Sequence, residues 1–212
     1  LALDFILDYE TAGQNVFTCP VLNVAFYSFD RARFSSVMEP YYFSELIQEI
    51  QTIKYNLTEQ VKSYGYKIEK STIDWWLKKG ELGKQVLAPS SEDSSLYDGM
   101  KHMLDEANVK HAGYWWSRGN TFDPIISQRI SQDTNQAEYF ASTLRYFNVR
   151  DTRTYFDAKF DFKIRTDFSP FEDEKKWKEV FQPHNSVHDV AADIMRMQAI
   201  IRGENGLDNI SR

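Results

Sequence analysis

Residues 3–9, Leu-Asp-Phe-Ile-Leu-Asp-Tyr, are the stretch that most limits what this chain can become. The run is far too short to span a membrane, and it reads as a strand buried on both faces, the kind that lies inside a sheet with helices packed against it. It finishes in an acidic pair. Asp8 and Glu10 flank Tyr9, and side chains two apart on a strand project to the same side. Like charges so close raise each other's pKa, so something positive is expected between them, or else they splay into water.

The rest of the pattern fits a sheet with alternating helices. Residues 21–29 read as a second strand, antiparallel to the first. A third falls within 41–57, where residues 43–50 (FSELIQEI) read equally as a short helix. Residues 70–80 form a compact helix, with Ser71 as N-cap and Asp74 completing a capping box. Residues 89–108 form the next, with Leu96, Met100, Met103, Leu104 and Ala107 at helical spacing. A buried strand at 112–119 precedes a helix at 120–130 whose Phe122, Ile125, Ile126 and Ile130 make one apolar face. A short strand lies within 144–154, another helix opens at 150–158, and 165–183 read as a surface excursion. A final helix runs from His188 to the stop at Gly203. Together these predict one α/β domain over residues 1–212, with a mixed central sheet flanked by helices.

The balance of 25 Lys and Arg against 31 Asp and Glu, a net charge of −6, excludes a broad basic nucleic-acid footprint. It leaves room for an enzyme that holds nucleic acid through bound metal. The single cysteine, Cys19, permits neither an internal disulfide nor a four-thiolate zinc site and suits a reducing cytosol. No basic-then-apolar leader opens the chain, which starts at Leu1, so a cytoplasmic enzyme without a membrane anchor is expected. A homodimer is left open.

Three further acids join the first pair. Asp123 follows Phe122 at a helix start, where an acid either caps the helix or serves a site. The late helix offers two frames of equal spacing, His188 with Asp193 and His184 with Asp189. The reading takes His188 with Asp193, because Ala191 and Ala192 keep that stretch slim. Carboxylates from a strand end, a helix start and a late helix converge on one pocket, and hard oxygen ligands select Mg²⁺ or Mn²⁺. Two such ions about 3.5–4 Å apart clamp the attacking and leaving oxygens of a phosphodiester displacement. Four carboxylates balance two divalent ions, which accounts for the acids facing one another.

The ordered set D-x-E, F-D and H-x-x-x-x-D resembles the DEDDh 3′–5′ exonucleases, which have a ribonuclease H-like fold. The stretches FILDYETAG, STIDWW, LAPSSED, SRGNTFDPII, RDTRT and HNSVHDVAADIM look like the exonuclease A group of T-even bacteriophages and related bacterial exoribonucleases. The resemblance implies that Asp8 bridges two divalent cations, that Glu10 and Asp193 complete the first site, and that Asp123 holds the second. It implies His188 as general base, suited by a pKa near neutral. Thr11 and Gly13 would lie near the 3′ terminus, Phe122 would stack on a terminal base, and Trp76 would border the substrate. Arg118, Arg150 and Arg153 would hold phosphate or balance the acids. The expected substrate is the 3′ end of a single-stranded nucleic acid, in the host cytoplasm for a phage enzyme. DNA is placed before RNA, and a catalytically silent binding module on the same fold is the alternative.

Overall fold

The apolar run opening the chain is strand β1, Asp4–Thr11. The computed structural model describes residues 3–36, 38–110, 112–159, 169–170 and 174–203. Strand β2, Val21–Phe29, pairs antiparallel with β1, setting Asp8 opposite Ala25 and Glu10 opposite Asn23. Helix α1, Phe43–Glu49, leads into strand β3, Gln51–Lys54, antiparallel to β2. The ambiguous stretch near residue 45 is thus a helix followed at once by a strand. Helices α2 (Leu57–Ser63), α3 (Lys70–Leu77), α4 (Glu81–Leu87) and α5 (Leu96–Val109) come next. Strand β4, Trp115–Ser117, runs parallel to β1. Helices α6 (Asp123–Asp133) and α7 (Ala137–Thr143) separate it from β5, Val149–Asp151, which is parallel to β4. Helices α8 (Thr152–Lys159), α9 (Glu174–Val180) and α10 (Ser186–Arg202) close the chain. The strand order is β3-β2-β1-β4-β5, a mixed sheet with β1 at its centre.

Alternation along β1 divides the core. Phe5, Leu7 and Tyr9 pack with Val24, Phe26 and Trp115 against α5, α6 and α7. Ile6 packs with Ala25, Phe29 and Trp116 against α1, α8, α9 and α10. By the same alternation Asp8 and Glu10 leave the strand on the face that α10 covers. Helix α10 is buried from Val190 through Ile200 because it crosses the middle of the sheet. Its entry is fixed by Asn185, whose side-chain oxygen accepts from the backbone of Val187 and His188. Gly203 closes it in the left-handed region, at φ 62°.

Several local expectations need correction. Helix α3 is preceded by Glu69, with no side-chain cap, and Ser71 lies inside it. Asp74 pairs instead with Lys70, one turn back. The predicted helix at 89–108 begins only at Leu96. Ser95 caps it and also donates to Asp98, while Ser90 and Asp93 tie the preceding residues into a turn. Helix α4 was not anticipated. It sits so close to α3 that a Cβ at Gly83 would lie 1.8 Å from the Trp76 carbonyl oxygen. The region read as a surface excursion holds α9, whose Trp177 is buried against Phe43 and Phe181. Residues 160–168 and 171–173 of that neighbourhood lie outside the described residues.

Candidate metal centre

The side chains of Asp8 and Glu10 meet Asp189, in the first turn of α10. One oxygen from each of the three carboxylates lies within 4.8 Å of the others. Asp123 stands at the start of α6, where Pro124 sets the first turn, and its Oδ1 accepts the backbone N–H of Tyr9 at 3.1 Å. That bond holds Asp123 at the peptide between the two β1 acids. A shared burial and mutual repulsion act on all four groups. Burial, then the charges of Glu10 and Asp123, push Asp8 well above the carboxylate range. Burial and Asp189 do the same to Glu10, with Lys79 opposing. Asp123 is raised by burial to about 7, and Asp189 by burial and Asp193 to about 6. Four hard oxygen donors crowded against their own repulsion fit divalent cations, which would relieve it.

The structure separates the two frames of the late helix. Asp189 joins the cluster. Asp193, one turn deeper, is engaged with protein partners: its Oδ1 accepts from Arg118 at 2.8 Å and Arg196 at 2.9 Å, and its Oδ2 from Thr152 at 2.5 Å. It shares a small cleft with Asp8, Arg118 and Asp189 but is held there as the anion of an arginine pair. His188 turns away from the acids. Its Nδ1 accepts the Gln182 N–H at 3.1 Å, and its ring packs against Phe43 and Phe181. His184 belongs to the other side. Its backbone N–H donates to Asp189 at 2.8 Å, and its ring, partly covered by Trp75, meets that indole edge-on with centroids 4.7 Å apart. It holds a left-handed backbone at φ 66°, uncommon for a residue other than glycine. Burial, with Lys79 adding to it, holds the His184 imidazole below its ordinary pKa.

Of the tryptophan pair, Trp76 is the core member. It is buried, and its indole N–H donates to the Thr11 carbonyl at 3.0 Å. Trp75 is the member facing the site's mouth, with the Lys79 ammonium 4.3 Å from its ring centre. Thr11 donates its hydroxyl to the Gly13 carbonyl, and Gly13 lies so close to Cys19 and Glu69 that a Cβ would come within 3.0 Å of each. Both therefore shape the chain just past Glu10. Phe122 is half-buried against the α5–α6 core beside Asp123. Arg118 reaches Asp193, whereas Arg150 stacks on Tyr114 at 3.9 Å, away from the acids.

Sequence reasoning passed over Asp189, His184 and Trp75, yet a signal was present. Asp193 has an arginine three residues on, the spacing of an intrahelical ion pair. Asp189 has only Ala192 and Asp193 at those offsets. The acid lacking an intrahelical cation is the one the cluster uses.

Comparison with known proteins identifies relatives of the whole chain. Residues 4–201 match the family described as 3′-5′ exoribonuclease Rv2179c-like domain. A protein of Enterobacteria phage T4 named exodeoxyribonuclease is 31% identical over 220 residues, covering 97% of this chain and 92% of its own length. Among solved structures, one of exonuclease I described as suggesting how processivity is achieved superposes with a TM-score of 0.64 at 13% identity. It covers 99% of this chain and 43% of the exonuclease I chain. Exonuclease I from Methylocaldum szegediense gives 0.55 at 13% identity, over 99% and 42%. The chain thus spans less than half the length of these solved neighbours, and their likeness is one of fold, a ribonuclease H-like mixed sheet flanked by helices.

Proposed function

This chain belongs to the 3′-5′ exoribonuclease Rv2179c-like family, and from that premise we propose that it is a 3′–5′ exonuclease working on a single-stranded nucleic acid and releasing nucleoside 5′-monophosphates. The observation carrying this reading is the meeting of Asp8, Glu10 and Asp189 within 4.8 Å, with Asp123 tethered beside them. Asp8, Glu10, Asp123 and Asp189 would hold two divalent cations, Mg²⁺ or Mn²⁺. When bound, such ions neutralise charge building on the phosphate as the bond to the 3′-terminal nucleotide breaks.

His184 is the group that takes the proton from the attacking water. A neutral imidazole is required for that task, and partial burial together with Lys79 favours that form. The edge contact with Trp75 and the backbone bond to Asp189 fix where the ring stands relative to the acids. Asp193 is a positioning residue. It anchors Arg118 at the cleft and ties α10 to Thr152 at the start of α8. His188 and Trp76 serve packing. Gly13 lets the backbone just beyond Glu10 pack against Cys19 and Glu69.

DNA is put first on the 31% identity to the phage protein named exodeoxyribonuclease, and RNA is the alternative on the family's own description. Purified protein with Mn²⁺, given matched DNA and RNA strands labelled at the 3′ nucleotide, should release labelled mononucleotide first, and faster from DNA. Release of internal fragments, or no release from either strand, would overturn the reading. Faster release from RNA would reverse the substrate order alone.

A further inference from the structure

The loop joining β1 to β2 is unusually well braced for an exposed segment. Asn15 accepts the Phe17 N–H with its side chain, and its carbonyl accepts from Thr18 and Cys19. The buried Arg129 donates to the carbonyls of Val16 and Cys19. Glu69 accepts the Asn15 N–H. Two backbone rungs, Lys67 N–H to the Thr18 carbonyl and Glu69 N–H to the Ala12 carbonyl, dock residues 67–69 along the loop. A loop so tied presents its side chains in fixed positions, and among them is an aromatic ring. Phe17 is 70% exposed, and Ile68, between the two rungs, is 44% exposed. Trp75, on the next helix and beside His184, is 37% exposed.

The same wall is cationic. Residues 62–79 contain Lys62, Lys67, Lys70, Lys78 and Lys79 against two acids, Glu69 and Asp74, in a chain whose net charge is −6. Lys70 is taken up by Asp74, whereas Lys79 stands over Trp75 and acts on Glu10. Fixed aromatic faces interleaved with lysines match a strand of unpaired bases, which stack on aromatics while the backbone follows positive charge. The wall starts where β1 delivers Glu10, so it is continuous with the metal centre.

The geometry points to the β1–β2 loop and residues 67–79 as the surface that receives the single strand behind its 3′ end, with Phe17 stacking on a base and Lys67 and Lys78 contacting phosphates. This deepens the nuclease reading and rests on it. It also reconciles an acidic chain with a polyanionic substrate, since five lysines face only two acids within residues 62–79.

The test is binding of a fluorescent 12-nucleotide single strand, DNA and RNA in parallel, followed by anisotropy with Ca²⁺ in place of Mn²⁺. Phe17→Ala should weaken binding about ten-fold, as loss of one stacked base does. Lys67→Gln with Lys78→Gln should lower the salt slope of binding by about 1.4, two contacts at about 0.7 each. Tyr146→Ala removes an even more exposed aromatic beside β5, outside this wall, and should leave binding as it is. Wild-type affinity in Phe17→Ala, an unchanged salt slope, or an equal loss in Tyr146→Ala would overturn the proposal. Mononucleotide release by the wild-type protein is read separately, so a nuclease whose Phe17→Ala variant still binds normally refutes the wall alone.

Discussion

Two histidines four residues apart show how environment assigns roles that sequence spacing leaves equal. His188 spends one ring nitrogen on the Gln182 N–H and packs its faces against Phe43 and Phe181. His184 stands beside Trp75 with its backbone bonded to a site carboxylate. Loss of a general base acts on the transition state, so it lowers kcat more than it raises KM. His184→Ala should therefore reduce kcat by about 10²–10⁴-fold. His188→Ala should retain most of kcat and lower the melting temperature instead, since it removes a packed ring and leaves the Gln182 N–H without its acceptor. Steady-state kinetics on the two variants decide it, and a dead His188→Ala beside an active His184→Ala would contradict the assignment.

At the scale of elements, what was legible followed from hydrophobic pattern, and what was not followed from tertiary contact. The β1 run, the stripe of α5 and the slim helix α10 each carry a period that local sequence displays. Their burial is what the pattern requires: Leu96, Met100, Met103, Leu104 and Ala107 are all fully buried. The convergence of Asp8, Glu10 and Asp123 was read from the same logic, as acids at element ends. Missing were features set by partners distant in sequence. Helix α4 depends on Gly83 meeting the Trp76 carbonyl, and α9 on Trp177 finding Phe43 across the chain. Asp189 and Asp193 share one helix face, a single turn apart, so periodicity cannot rank them. Arg118 and Thr152, brought in by β4 and α8, do the ranking.

For the whole molecule, the acidic cluster makes metal-free stability depend on pH in a definite direction. A carboxyl whose folded pKa is raised binds protons more readily when folded, so its contribution is present at low pH and lost as pH rises through the folded value. Asp123, raised to about 7, titrates near neutral pH, and Asp8 and Glu10 are pushed in the same upward direction by burial and by their acidic neighbours. The two imidazoles, both depressed by burial, oppose this only below their ordinary value of 6.5. The melting temperature without metal should therefore fall between pH 6.5 and 8, by about 2–4 °C for each kcal/mol lost. Added Mn²⁺ should reverse the trend by binding the ionised acids. Calorimetry that finds a flat or rising melting temperature without metal would count against a shared, strained acid cluster.

Asp189, not Asp193, is the α10 acid proposed to complete the metal centre. A crystal soaked in Mn²⁺ and measured for anomalous scattering tests it at the atoms concerned. Density should appear bounded by Asp8, Glu10 and Asp189, with Asp123 facing it and the Asp193 carboxylate still held by Arg118 and Arg196. Density coordinated by Asp193, with its arginines displaced and Asp189 left outside, would contradict it.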